Sequence, residues 1–527
     1  MKPDSPEKPD HYDVVVIGGA FSGSVSATLI RRFVPTARVL VVESAEQFDH
    51  KVGEATVEIS AMMLSRVLGM HDWMARHQLP KHGLRYWFTD SLDRTLGEMS
   101  EVGPREVPRL PAFQLDRAVM DEGLLELACQ EGAELMRPGK VTAFELGWPE
   151  SRLTVESGGE SRSVTTRWVV DASGRHAVIA RRLNLLKKTM EHPTSAYWGR
   201  WSEVADLDGV EVTGKDPRSP KLDAIPAARR LATNHFCGYG FWCWVIPLSN
   251  GETSIGLVFD KRMFQWPTTG SGLERYKAFV ASWPGLRELT AHATLDEEDF
   301  RSYAHLPYYT QKFMEKGWSL VGDAAAFLDP YYSPGLDFAS ISSFATAHVI
   351  EKDLKGELDE AALTAEVADH NDRFIRSYRR WLDGIYLDKY EIMGDAELTA
   401  AGFLLDTAMY YMGVVTPIFD DLDNLRHPLY GQGIWQTRWA FNFMFFYNQR
   451  LVTLARQRRQ LGIYGRKNIG WKKFIQTASL GLPGGMDMFK RGAKVWLRAE
   501  AATLWARIKQ GKLFLPQQLP APAKASS

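Results

Sequence analysis

The chain has 527 residues, 45% hydrophobic and 24% charged, a globular composition with length for two or three domains. Cys129, Cys237 and Cys243 have neither metal spacing nor a disulfide framework, which fits a reducing cytoplasm, and no metal site is expected. The polar start MKPDSPEKPDHYD lacks the apolar core of a signal peptide, and no uncharged apolar run reaches the ~18 residues of a spanning helix.

Residues 13–17, DVVVI, predict a buried strand. GGAFSG (18–23), a helical stretch SVSATLIRRF and a second strand RVLVV follow, ending at Glu43. In such a βαβ unit Gly18 allows a tight turn, Gly23 lets the helix pack closely, and the helix start offers free N–H groups to a pyrophosphate. Glu43, twenty residues past Gly23, is placed to bind a ribose diol. Ala20 stands where the fingerprint has its middle glycine and adds a methyl where backbone should approach phosphate.

Further along come VGEAT (52–56) and Lys81 in LPKHGLRYWF, with His82 beside it. PAFQLDRAVMDEGLLELACQEGAEL (111–135) joins an extended piece to a helix with apolar residues at helical spacing. WVVDASGR (168–175) is a strand leading into a turn. In FWCWVIP (241–247) alternation puts Trp242 and Trp244 on one face of a strand. GWSLVGDAAAFLDPYYSPGLDFAS (317–340) reads as strand, Gly-Asp turn, loop and helix start. Read singly, these are ordinary punctuation, a core-filling pair of indoles and a solvated lysine.

Together, over residues 10–345, they resemble the FAD-dependent monooxygenases of the p-hydroxybenzoate hydroxylase type, and most closely their flavin-dependent halogenase branch. Trp242, Trp244, Ile246 and Pro247 match the branch's W-x-W-x-I-P. The resemblance implies an α/β, Rossmann-like FAD-binding fold with an inserted antiparallel β-sheet for substrate, about 60–115 and 185–310, and a helical C-terminal domain over 346–515. It implies that Arg117 reaches the flavin's phosphates or ring edge and that Asp323 binds a ribityl hydroxyl. Gly335, Leu336 and Asp337 would lie against the ring, where a helix start can stabilise negative charge on reduced flavin. Reduced FAD would come from a separate flavin reductase, and halide would sit near Ser333 and Gly335. Hypohalous acid would pass the wall of Trp242 and Trp244 to Lys81, which captures it or hydrogen-bonds it beside an electron-rich, phenol- or pyrrole-like ring.

Two departures stand out. Tyr332 occupies the place where tryptophan-acting members carry a glutamate, which argues against free tryptophan as substrate. Pro334 precedes Gly335 and has no N–H, whereas family members hold halide on two consecutive N–H groups, the second on that glycine. A hydroxylase or dehydrogenase acting on an aromatic or lipid-like substrate would not notice the proline. A flavin-binding docking protein without turnover is the third reading.

The C-terminal third reads as mostly helical, with a disordered tail over 516–527. Between Arg450 and Lys512 stand fifteen Lys/Arg against Asp487 and Glu500, interleaved with Trp471, Phe474, Phe489, Trp496 and Trp505. The net charge of −1 therefore conceals a block of +13 on a body of −14. A solvated face, a dock for an acyl or peptidyl carrier protein, and a peripheral contact with an anionic membrane all fit. No recognition motif for nucleic acid accompanies the charge.

Overall fold

A computed structural model describes residues 10–209, 227–477 and 479–512. The expected tail at 516–527 lies outside them. The β-branched run at the start forms Asp10–Ile17, the middle of a parallel sheet between Val39–Val42 and Glu160–Asp171. Trp318–Leu320 extends the parallel pairing on one side and Glu134–Met136 on the other. Val14, Val15, Val16 and the whole Val39–Val42 strand are buried, as a sheet covered on both faces requires. Helix Phe21–Phe33 packs against helices Arg117–Gln130 and Gly335–Leu354.

A second sheet, of nine strands among the described residues, carries Phe241–Pro247 between Thr253–Asp260 and Thr233–Gly238. Alternation divides that strand between two cores. Trp242, Trp244 and Ile246 join the large core shared with the parallel sheet, and Phe241, Cys243 and Val245 join a smaller one. Helix Gly272–Ser282, opened by a Ser271–Glu274 capping box, supplies Tyr276 and Val280 to the smaller core.

This sheet differs from a purely antiparallel expectation at two places. Thr233–Gly238 runs parallel to Leu84–Phe88, and Lys472–Ile475 runs parallel to Ser100–Pro104 at one end. The second pairing brings a strand from the otherwise helical C-terminal third, a strand too short and too basic to stand out in sequence. Helix Gly335–Leu354 runs straight through residue 345. The apolar stretch Ala396–Asp420 is long enough to cross a membrane, but it is largely buried as a core helix.

Candidate active site

The glycine-rich turn forms as its residues demand. Gly18 has φ +97, and a Cβ there would meet the Ala172 carbonyl oxygen at 2.7 Å. A Cβ at Gly23 would meet the Gly18 carbonyl oxygen at 1.8 Å, so the helix start presses directly on the turn. Ala20, by contrast, adopts φ −72 and ψ −168, extended backbone open to any residue, which is why the chain tolerates alanine there. Glu43 accepts from Gly19 N at 2.7 Å and Ala45 N at 2.8 Å, tying the turn to the end of the second strand.

The remaining motif turns gather at the same ends of the parallel strands, where open α/β sheets bind ligands. The Asp171–Ser173 turn backs Gly18. The Gly322 turn lies so close to the first helix that a Cβ on Gly322 would meet Ser22 Oγ at 2.3 Å. Asp323 sits in that turn, its carboxyl pushed up by burial against the pull of Arg175 and Arg117. Arg117 is buried and fully engaged, with Asp121 at 3.1 Å and the Val52 and Gly53 carbonyls at 3.0 and 3.3 Å. Its charge reaches Asp323, but its hydrogen bonds serve the loop that carries VGEAT.

At Gly335 the helix opens on space. No atom lies within 4 Å of where its Cβ would be. The N–H groups of Gly335, Leu336 and Asp337 have no hydrogen-bond partner among the described residues, and the first carbonyl-bound N–H of this helix is Phe338's, on Pro334 O at 2.9 Å. Such a row of unpaired donors suits a flavin edge or an anion. Ser333, in the left-handed region at φ +56, spends its N–H on Pro330 O at 2.9 Å and cannot offer it to halide. Three consecutive free N–H groups remain all the same, on Gly335, Leu336 and Asp337, in the first turn behind the Pro334 cap.

Lys81 is 3% exposed. Its backbone N donates to Ala112 O and its Nζ to Thr56 O, both at 2.8 Å, so the chain of VGEAT directly holds the amine. Lys81 lines a cavity of about 140 Å³ together with Glu58, Pro334, Asp337, Tyr410 and Tyr411. Apolar walls come from Leu84, Pro108, Leu110, Phe403, Ile475 and Met488. Burial lowers the Lys81 amine to about 8, while Glu58 and Asp337 pull it up. His82 turns away and accepts from Ala228 N at 3.0 Å.

Trp242 and Trp244 share a face, 5.9 Å apart, but neither lines this cavity. Trp242 lies one ring behind the wall: it packs on Tyr331 at 5.4 Å, and Tyr331 on the cavity-lining Tyr332 at 4.5 Å. Its indole donates to Tyr390, which donates to Asp329, so the wall is locked by hydrogen bonds. Tyr332 donates to Asp406 at 2.9 Å. Sequence reasoning missed Glu58, Tyr410, Tyr411 and Asp406; the Asp337 carboxylate, on the turn expected against the flavin, lines the Lys81 cavity. Only Glu58, four residues beyond VGEAT's own glutamate, offered a local signal.

The family model for tryptophan halogenases matches residues 13–104 and 100–387. The chain belongs to the tryptophan halogenase family. It is 25% identical over 456 residues to the flavin-dependent halogenase chlA of Dictyostelium discoideum, covering 78% of this chain and 73% of that protein. It is 28% identical over 401 residues to the 1H-pyrrole-2-carbonyl-[peptidyl-carrier protein] chlorinase of Pseudomonas fluorescens, covering 72% and 84%. The fold is that of halogenase PltM in complex with phloroglucinol and FAD, with a TM-score of 0.69 at 17% identity over 92% of this chain and 96% of that one. The family is one of FAD-dependent oxidoreductases, and FAD is the cofactor. The glycine cradle and the unpaired donors at Gly335 fit it.

Proposed function

We propose that this enzyme halogenates an electron-rich aromatic ring, phenol- or pyrrole-like, through hypohalous acid. The observation that supports this is a buried amine, Lys81, sharing one cavity with Pro334 and Asp337 at the start of the helix whose unpaired N–H groups would meet the cofactor. Bound FAD, reduced by a separate reductase, supplies with oxygen the oxidising equivalents that turn halide into hypohalous acid. The turn at Gly18 to Gly23, with Glu43, Arg117 and Asp323, positions the cofactor, and the N–H groups of Gly335 and Leu336 hold the halide. Trp242 and Trp244 stiffen the wall through Tyr331 and keep substrate from the cofactor. Lys81 donates hydrogen bonds to hypohalous acid beside the ring, and the apolar walls exclude water.

The outer face of the C-terminal helices is the proposed dock for an anionic partner. Much of the basic block is internal glue: Arg458 is buried on Asp395 and Glu397, and Arg456 meets Asp388 and Glu391. Lys490, Lys494 and Arg498 have no acidic partner among the described residues, beside Leu497 at 66% and Trp505 at 59% exposure. The pyrrole-carrier name of one relative favours a carrier-bound substrate; the exposed indoles favour an anionic bilayer. Co-sedimentation with phosphatidylglycerol vesicles, beside binding to an acidic carrier protein, separates the two.

Mass spectrometry of products formed with bromide and reduced FAD tests the reaction. Lys81→Ala is expected to abolish halogenated product while FAD is retained. Hydroxylated product, unaffected by Lys81→Ala, would replace this reading with a monooxygenase, and absence of product from both forms would leave a docking protein.

A further inference from the structure

Three carboxyl groups, Glu58, Asp337 and Asp406, line the cavity with Lys81, and the first two are each tied to one of two adjacent tyrosines. Asp337 Oδ2 accepts from Tyr410 OH at 2.6 Å and its Oδ1 from Ser60 N at 2.8 Å. Glu58 Oε1 accepts from Tyr411 OH at 2.6 Å. The other titratable groups nearby carry no competing charge. Burial pushes Tyr332, Tyr410 and Tyr411 well above the usual phenol range, so they stay neutral. Burial and Lys81 itself hold His235 down at about 3, also neutral. Asp406 is committed to Lys389 at 2.5 Å and to Tyr447 at 2.7 Å.

We propose that Glu58 and Asp337, braced by Tyr411 and Tyr410, are positioning residues that hold Lys81 as an ammonium and make the cavity turn away substrates bearing a carboxylate beside the ring. They supply from another part of the chain the negative charge that Tyr332 does not. An ammonium has no lone pair, so Lys81 donates hydrogen bonds to hypohalous acid instead of taking its halogen. A buried amine left without counter-charge would shed its proton, since low dielectric penalises the charged form. Above about pH 7, where Asp337 has lost the proton that burial favours, two carboxylates against one amine also give the cavity a negative balance, repelling an anionic ring while accepting a hydroxyl or N–H donor. The inference rests on the halogenase reading only for the use made of Lys81.

The test labels Lys81 of the FAD-bound full chain with acetic anhydride across pH, with peptide mass spectrometry reporting the ionisation midpoint whether or not product forms. Glu58→Gln and Asp337→Asn are each expected to lower that midpoint by roughly one unit. The alkaline limb of kcat/KM should move with it, and Glu58→Asp should restore both. Tyr411→Phe, which weakens the brace, moves the midpoint in the same direction and serves where Glu58→Gln does not fold. The parent should bind 4-hexylphenol at least tenfold more tightly than 4-hexylbenzoate, and Glu58→Gln should narrow that gap. An unmoved midpoint, or equal binding of the two probes by the parent, overturns the proposal. A parent that makes no halogenated product but shows the shifted midpoints overturns the halogenase reading instead.

Discussion

Gly23→Ala tests the cofactor cradle most directly. The added methyl would lie 1.8 Å from the Gly18 carbonyl oxygen and 2.9 Å from its carbon, with the Ala172 methyl at 3.3 Å behind. Carbon–oxygen contacts settle near about 3.3 Å, so the turn must retreat by about 1.5 Å. It is anchored against that movement by Gly18 N on Val42 O at 2.8 Å and Gly19 N on Glu43 at 2.7 Å. Overpacking costs about 1–3 kcal/mol, and one lost backbone hydrogen bond adds about 1 kcal/mol. If half of that total is expressed in the turn's position, FAD binds about five- to thirtyfold more weakly. Ala20→Gly is the control: its backbone is already relaxed, so FAD should be retained with a stability loss below about 1 kcal/mol. Titration of apoprotein by FAD fluorescence quenching, with thermal unfolding alongside, measures both. A Gly23→Ala protein that binds FAD within a factor of two of the parent and melts unchanged would refute the reasoning.

Three further outcomes are expected. Leu336→Pro removes the middle one of the three free N–H groups at the helix start while proline remains acceptable in a first helical turn. Halide KM should rise roughly tenfold, by more than the Kd for FAD rises, and unchanged halide dependence would dismiss these donors. Arg458→Met strips the buried partner from Asp395 and Glu397. A loss of about 3 kcal/mol, the lower end for such a site because Arg466 and Lys467 still face Glu397, should appear in urea unfolding. Burial raises the Asp337 carboxyl to about 7, so the folded chain keeps a proton that the unfolded chain has released between about pH 4 and 7. That contribution to stability is complete below about pH 4 and is lost as pH rises through 7. The stability of Asp337→Asn relative to the parent should therefore climb across that window and level off above about pH 8; a difference constant with pH would contradict it.

The sequence by itself determined the cofactor half of the protein. The DVVVI strand, the glycine turn, the helix and Glu43 are neighbours along the chain, and their conformations follow from local sterics and period. The same locality made the shared face of Trp242 and Trp244 legible, since strand alternation needs no tertiary knowledge. Where that face points is not local, and tertiary packing put Tyr331 between the indoles and the cavity. Only the fold could bring Glu58, Lys81, Asp337 and Tyr410 around one cavity, because they lie on separate elements as far apart as positions 58 and 410. Proline at 334 reads as a loss along the chain, yet in the structure it caps the helix, and the next three N–H groups are unpaired. The basic C-terminal block likewise reads as one surface, but ion pairing consumes much of it inside, since its acids stand elsewhere in sequence. Local rules fix what a residue's backbone does; which charges and rings then meet is decided by packing across distances that no motif spans.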